Sequence, residues 1–194
     1  LWFPIEFNWL PDVSAQLVPG LSLPIPKLIG VDLAFLLFLV IRPVEGVGYS
    51  FRLTRRDGLR ALQAFGAFAV VGLPLGFAMR FIGLQPAPFR PGEWALSLVG
   101  IYLLVAVPEE LLFRGVIQNL IEQRFGRSWI TLVIASLIFG AAHLNNATAG
   151  YPVPNFAYML MAALAGVAYG WAWRRSGKIT SAAITHTLVD WVWG

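Results

Sequence analysis

The sequence predicts an all-α polytopic membrane protein, a bundle of about six transmembrane helices that follows an N-terminal interfacial segment. Of its 194 residues, 58% are hydrophobic and only 12% are charged, whereas a soluble domain carries about 25% charged residues. The uncharged runs are long, since residues 128–173 contain no Asp, Glu, Lys or Arg. Tryptophans flank the runs, as in the aromatic belts of membrane–water interfaces, at Trp94, Trp129, Trp171, Trp173, Trp191 and Trp193.

The apolar segments can be placed in order along the chain. Residues 1–27 hold five prolines, which together with Glu6 and Asp12 indicate an interfacial or re-entrant segment. Residues 28–194 are predicted to form one transmembrane helical domain. Its spans are expected at about 28–43, 61–83, 94–122, two within 128–173 divided by the turn-rich stretch 145–155, and 178–193.

The basic residues indicate membrane orientation. The net charge is +4, but the arginines lie mostly in the first, third and fifth connections, which the positive-inside rule places in the cytoplasm. We therefore expect the lipid bilayer, and no nucleic acid, as a partner. The chain has no cysteine, which excludes disulfides and thiolate nucleophiles. We interpret it as a multi-pass protein of a prokaryotic cell membrane.

Two adjacent glutamates lie inside the third predicted span. A carboxylate near the middle of a bilayer costs about 2.5–3.5 kcal/mol on insertion scales, so such a pair indicates a functional site. Positions i and i+4 share a helix face, so Glu110 is expected to pair with Arg114, while Glu109 points about 100° away. Glu109 therefore needs a partner on another helix, or it must be protonated.

The two histidines of the chain, His143 and His186, lie in the fourth and sixth predicted spans. At about 1.5 Å per residue, Glu109, His143 and Asp190 each lie roughly 18–21 Å from the cytoplasmic end of their span. His186 lies one turn lower on the same helix as Asp190. The sequence therefore predicts that all four side chains meet at one level of the membrane.

Such a set of side chains suits three chemistries, among which spacing alone does not choose. In metal-free hydrolysis, Glu109 takes a proton from a water that His143 helps to hold, and His186 donates to the oxyanion. In metal-assisted hydrolysis, Glu109, His143 and His186 ligate zinc and leave a position open for water. In proton-coupled transport the same groups form a relay, although no internal repeat supports a transporter.

The order and spacing of these residues resemble the three motifs of the CPBP (Abi) family of CAAX prenyl and bacteriocin-processing intramembrane proteases. The matching motifs are Glu109-Glu110-x-x-x-Arg114, Phe139-x-x-x-His143 and His186-x-x-x-Asp190. They cover residues 109–190. The resemblance implies an intramembrane endopeptidase of glutamate type that cleaves a membrane-embedded or membrane-anchored peptide or protein.

The resemblance also implies a role for each motif residue. The implied catalytic residues are Glu109, His143, His186 and Asp190. The residues implied to support the site are Glu110, Arg114 and Phe139, the last beneath the ring of His143. By this resemblance, Glu109 and His143 would activate the water. His186 and Asp190 would lie at the oxyanion side. An ionised aspartate only accepts hydrogen bonds, so Asp190 must be protonated, orient His186 or bind a metal.

Two alternatives to this hypothesis stay open at the level of the sequence. No cofactor is favoured, but a zinc-dependent protease would use Glu109, His143 and His186 as ligands. The other alternative is a non-catalytic membrane scaffold or immunity protein that keeps the motifs for structure. Within the protease hypothesis, the substrate is either prenylated or of another membrane-associated kind.

Overall fold

The computed structural model describes residues 13–18, 21–50, 52–83 and 90–193 of the chain. The chain divides into two compact units, Leu1–Glu45 and Gly46–Gly194. The division therefore falls after the first apolar helix, whereas the sequence places a boundary at residue 27. The role of residues 1–27 as an interfacial segment stays a prediction, and residues 1–12 lie outside the described part of the chain.

The first unit contains a short hairpin and a helix. Strands β1 (Ser14–Val18) and β2 (Leu21–Pro24) pair antiparallel, with Ser14 opposite Pro24. Helix α1 begins directly afterwards, as Ile25–Phe35, and continues in π-helical turns over Leu36–Ile41. The first predicted span is thus a helix, and it begins three residues earlier than expected.

The second unit is helical. Its described residues form α2 (Arg55–Ala78), α3 (Pro91–Phe125), α4 (Trp129–Ala141), α5 (Phe156–Ser176) and α6 (Ile179–Trp193). Helices α2, α3 and α5 are long and apolar enough to cross a membrane, and α4 is apolar but shorter. Together with α1, these helices overlap the six predicted spans, although α2 ends at Ala78 and not at residue 83. The all-α membrane bundle is therefore confirmed.

Helix α2 begins earlier than the sequence indicated. The prediction placed its start at residue 61, after the last arginine of the preceding stretch. Instead, Thr54 and Asp57 form a capping box, in which each side chain accepts a hydrogen bond from the other residue's backbone N–H. This cap satisfies two free donors of the first turn. Asp57 also binds Lys178 Nζ at 2.8 Å, which ties this end of α2 to the start of α6.

Helix α3 is long and irregular. Its 35 residues would extend about 52 Å as a regular helix, more than the ~30 Å of bilayer hydrocarbon. Pro108 cannot donate a backbone hydrogen bond to the preceding turn. On either side of it the helix has π-helical turns, at Tyr102–Ala106 and Leu111–Gln118. Such turns are frequent at functional sites, and the two glutamates lie between them.

Helix α5 lies at the centre of the second unit, packed against α2, α4 and α6. Its glycines allow close approach, as the Gly166-x-x-x-Gly170 spacing indicates. A Cβ at Gly170 would lie 2.4 Å from Gln118 Oε1, and one at Gly140 of α4 would lie 2.5 Å from the backbone oxygen of Met159. These contacts hold α3 and α4 against α5.

A Gly140→Ala variant should be destabilised by about 1–3 kcal/mol. Its new methyl group overlaps the backbone oxygen of Met159, and this oxygen can shift only if helix α5 moves. Thermal unfolding in detergent measures the effect. The matched control is Gly66→Ala in α2, where a Cβ would have nothing within 4 Å. The control should be neutral or slightly stabilised, since alanine is the better helix former. Equal behaviour of the two variants would contradict this packing account.

The tryptophans only partly follow the predicted belt. Trp129, at the start of α4, is exposed as an interfacial residue would be. Trp173 is buried instead, and its Nε1 donates to the backbone oxygen of Val47 at 3.1 Å. The prediction was therefore wrong for Trp173, because its spacing from the helix end did not show that this face of α5 turns inward.

Candidate active site

The two glutamates of α3 lie in different environments. Glu110 is fully buried, and its Oε2 lies 3.0 Å from Nε of the equally buried Arg114. The side chain of Glu109 is 13% exposed. The i,i+4 ion pair and the separation of the two carboxylates therefore follow the helix geometry that the sequence predicts. Arg114 Nη2 also lies 3.4 Å from the backbone oxygen of Gly166 in α5.

His186 of α6 lies among three carboxylates. Its Nδ1 is 2.9 Å from Glu110 Oε1, and its Nε2 is 3.2 Å from Asp190 Oδ2. Glu109 Oε2 lies farther from the same Nε2, at 4.0 Å. Ionised carboxylates only accept hydrogen bonds, so this arrangement suits a ring in which both nitrogens carry a proton. Asp190 is thus placed to orient His186, one of the three roles considered for it.

His143 lies just beyond a helix rather than inside one. The sequence predicts it on the fourth span, but α4 ends at Ala141 and a turn follows. The His143 backbone N–H binds Gly140 O at 2.9 Å, an i→i−3 bond that tightens the helix end. Its Nδ1 donates to Phe139 O at 2.9 Å. In a neutral ring, Nε2 is then the nitrogen with a lone pair.

Phe139 lies between the two histidines. Its ring centroid is 4.7 Å from that of His143 and 5.8 Å from that of His186. The Arg114 guanidinium lies over its face, 4.4 Å from the centroid. The packing beneath His143 that the resemblance implies for Phe139 is therefore present, and Phe139 also joins His143 to the ionic cluster of α3 and α6. All seven predicted site residues thus belong to one contiguous region.

Two tyrosines of α5 belong to this region, and the sequence reasoning missed both. Tyr169 stacks on His186 with a centroid distance of 4.5 Å and an interplanar angle of 15°. Tyr158 contacts the His143 ring at 5.1 Å. The sequence did contain an indication for Tyr169, which lies between Gly166 and Gly170. Helices pack closely at such glycines, so neighbouring side chains are buried in the bundle.

The zinc alternative stays a prediction. Among the described residues, no group of three or more His, Asp or Glu side chains is arranged so that it could hold a metal ion. In the zinc alternative, Glu109, His143 and His186 would be the ligands. Both ring nitrogens of His186 lie near carboxylate oxygens, and a zinc ligand needs a lone pair on the nitrogen that meets the metal.

Comparison with known proteins gives a family and one partial relative. A family model described as type II CAAX prenyl endopeptidase Rce1-like matches residues 91–192, which include every candidate site residue. An uncharacterised 24.3 kDa protein of Escherichia coli is 33% identical over 87 residues, and the aligned region covers 40% of each chain. No solved structure matches the chain significantly.

Proposed function

The chain belongs to the Rce1-like family of type II CAAX prenyl endopeptidases, and on this basis we propose that it is an intramembrane endopeptidase of glutamate type. The observation that carries the proposal is the placement of Glu109. The Glu109 side chain is 13% exposed and its Oε2 lies 4.0 Å from His186 Nε2, whereas the neighbouring Glu110 is fully buried. A reactive carboxylate needs access to water and substrate, whereas a supporting one does not.

In the proposed reaction, Glu109 is the general base. A water held by Glu109 and by Nε2 of His143 gives a proton to the carboxylate, and its oxygen attacks the peptide carbonyl carbon. The C–N bond then breaks as the nitrogen leaving group takes that proton from Glu109. The products are a carboxylate and an amine. The lone pair on His143 Nε2, which follows from the bond of Nδ1 to Phe139 O, suits this nitrogen to accept a hydrogen bond from the water.

The developing oxyanion needs hydrogen-bond donors, and we assign this role to His186. The ring can donate from Nε2 towards the side where Glu109 lies. Asp190 Oδ2 lies 3.2 Å from the same nitrogen and holds the ring in orientation until the Nε2–H turns from this carboxylate to the oxyanion. Glu110 and Arg114 support the site as a buried ion pair. Glu110 also accepts a hydrogen bond from Nδ1 of His186.

We further propose that the protein acts as a multi-pass protein of the cell membrane. The three helices that are long and apolar enough to span a bilayer support this. Since Glu109 lies on one of these helices, α3, the substrate should be a membrane-embedded or membrane-anchored peptide or protein. Family membership makes prenylated peptides the first class of substrate to test.

Cleavage in liposomes tests the proposal directly. We expect the wild-type protein to cleave at least one member of a pool of prenylated and unprenylated membrane-anchored peptides, and a zinc chelator to leave the rate unchanged. A His143→Ala variant should fold and lose about 10²–10⁴-fold in rate, the usual contribution of acid–base catalysis. Loss of cleavage with chelator and its recovery with zinc would contradict the metal-free mechanism. Absence of cleavage of the whole pool would favour the scaffold alternative.

A further inference from the structure

The orientation of His186 is only partly fixed by its carboxylate partners. A hydrogen bond from Nδ1 to Glu110 and the 3.2 Å contact of Nε2 with Asp190 hold the two nitrogens of the ring. These contacts act at the edge of the ring, so small rotations about the Cα–Cβ and Cβ–Cγ bonds can still tilt its plane. A donor to an oxyanion must be aligned to within a narrow angle, so some other group has to restrict this tilt.

Tyr169 is placed to restrict it. The Tyr169 ring is nearly parallel to the His186 ring, at 15° and 4.5 Å between centroids. The ring of Phe139 meets the imidazole nearly at a right angle, at 87° and 5.8 Å. The imidazole therefore contacts the face of Tyr169 and, nearly at a right angle, the ring of Phe139. Because packed interiors have few voids, these two contacts leave it little room to tilt.

Tyr169 is itself firmly held. It is among the largest fully buried side chains of the described residues. The Arg114 guanidinium lies 5.3 Å from its ring centroid, and Phe139 contacts it at 5.8 Å and 73°. Its neighbour Gly166, one turn earlier on α5, is so close to Phe139 that a Cβ there would lie 3.2 Å from the Phe139 ring. The ring of Tyr169 is therefore fixed by the packing of α5.

We propose that Tyr169 is a positioning residue for His186, holding the imidazole by its ring face so that Nε2 stays directed towards the reacting carbonyl. This inference rests on the proposed function, since it assumes that His186 serves as the oxyanion donor. It assigns the effect to the ring of Tyr169, not to its hydroxyl group.

Paired substitutions separate positioning from general packing. Tyr169→Leu should lower kcat by about 10²-fold, the usual effect of a small misplacement in an active site, with little change in KM. Tyr169→Phe keeps the ring face and should retain wild-type kcat. The matched control is Phe68→Leu in α2, which shortens another buried ring, one that stacks on Trp193. It should lower the unfolding temperature comparably and leave kcat near that of the wild type.

A second measurement does not depend on activity. The chain has two histidines, so ¹⁵N-histidine labelling gives few imidazole signals, which a His143→Ala variant assigns. In Tyr169→Leu, but not in Tyr169→Phe or Phe68→Leu, the His186 nitrogens should shift and broaden as hydrogen bonds weaken. Unchanged His186 signals in Tyr169→Leu, or equal loss of kcat in Tyr169→Phe, would overturn the inference. If the wild type cleaves no peptide, the proposed function fails, and the spectra still decide whether Tyr169 positions His186.

Discussion

A Glu109→Gln variant is expected to fold like the wild type and to lose cleavage activity by about 10²–10⁴-fold. Glutamine keeps the shape of the side chain and one carbonyl oxygen, but it cannot take a proton from water. The substitution leaves the buried Glu110–Arg114 pair intact, so its effect on stability should be small. The measurement is kcat/KM on a membrane-anchored peptide in liposomes, together with the unfolding temperature of the same preparation.

Glu93→Gln is the matched control for this experiment. Glu93 lies on the same helix, but its side chain is 68% exposed and pairs with Arg90 at the surface. The control removes an equal charge from α3 and should cleave like the wild type. If Glu109→Gln cleaved as fast as Glu93→Gln, Glu109 would not be the general base. Retention of biological function without cleavage in either variant would favour the scaffold alternative.

The helical architecture could be predicted because its cause is visible in the sequence. Long runs without charge have to be buried in lipid or protein, and a helix satisfies its own backbone there. The helix ends were less predictable. The start of α2 was predicted too late, because its first turn contains arginines, which the prediction placed in the preceding loop. The Thr54–Asp57 capping box stabilises a helix start with these charged residues. Helix α4 ends at Ala141, so His143 lies in a turn. The uncharged run continues through this position, and the sequence therefore did not indicate the helix end.

Residue depth predicted that the site residues of three helices lie at one level, but individual contacts could be predicted only within one helix. Glu110 with Arg114, and His186 with Asp190, are i,i+4 neighbours whose spacing is enough to pair them. Contacts between helices depend on how far each helix is rotated about its axis, and periodicity does not fix that rotation. The sequence therefore gave no indication that Glu110 contacts His186, or that Tyr169 stacks on it.

The double role of Glu110 leads to the largest expected effect on stability. A Glu110→Ala variant should lose about 3–5 kcal/mol, because it leaves the buried Arg114 charge without its partner. It also removes the acceptor of His186 Nδ1, which lies 2.9 Å from Glu110 Oε1. Unfolding by denaturant in detergent measures the loss. Glu93→Ala breaks the exposed pair with Arg90 and should cost at most about 1 kcal/mol.

A double variant distinguishes the ion pair from the volume of the side chain. Replacing both partners of a buried pair by apolar residues is often neutral, because no unpaired charge remains. Glu110→Leu combined with Arg114→Met should therefore regain most of the stability that Glu110→Ala loses. Cleavage should not return, since Nδ1 of His186 still lacks its acceptor and the ring loses its orientation. A double variant as unstable as Glu110→Ala would show that the unpaired charge of Arg114 is not the cause of the loss.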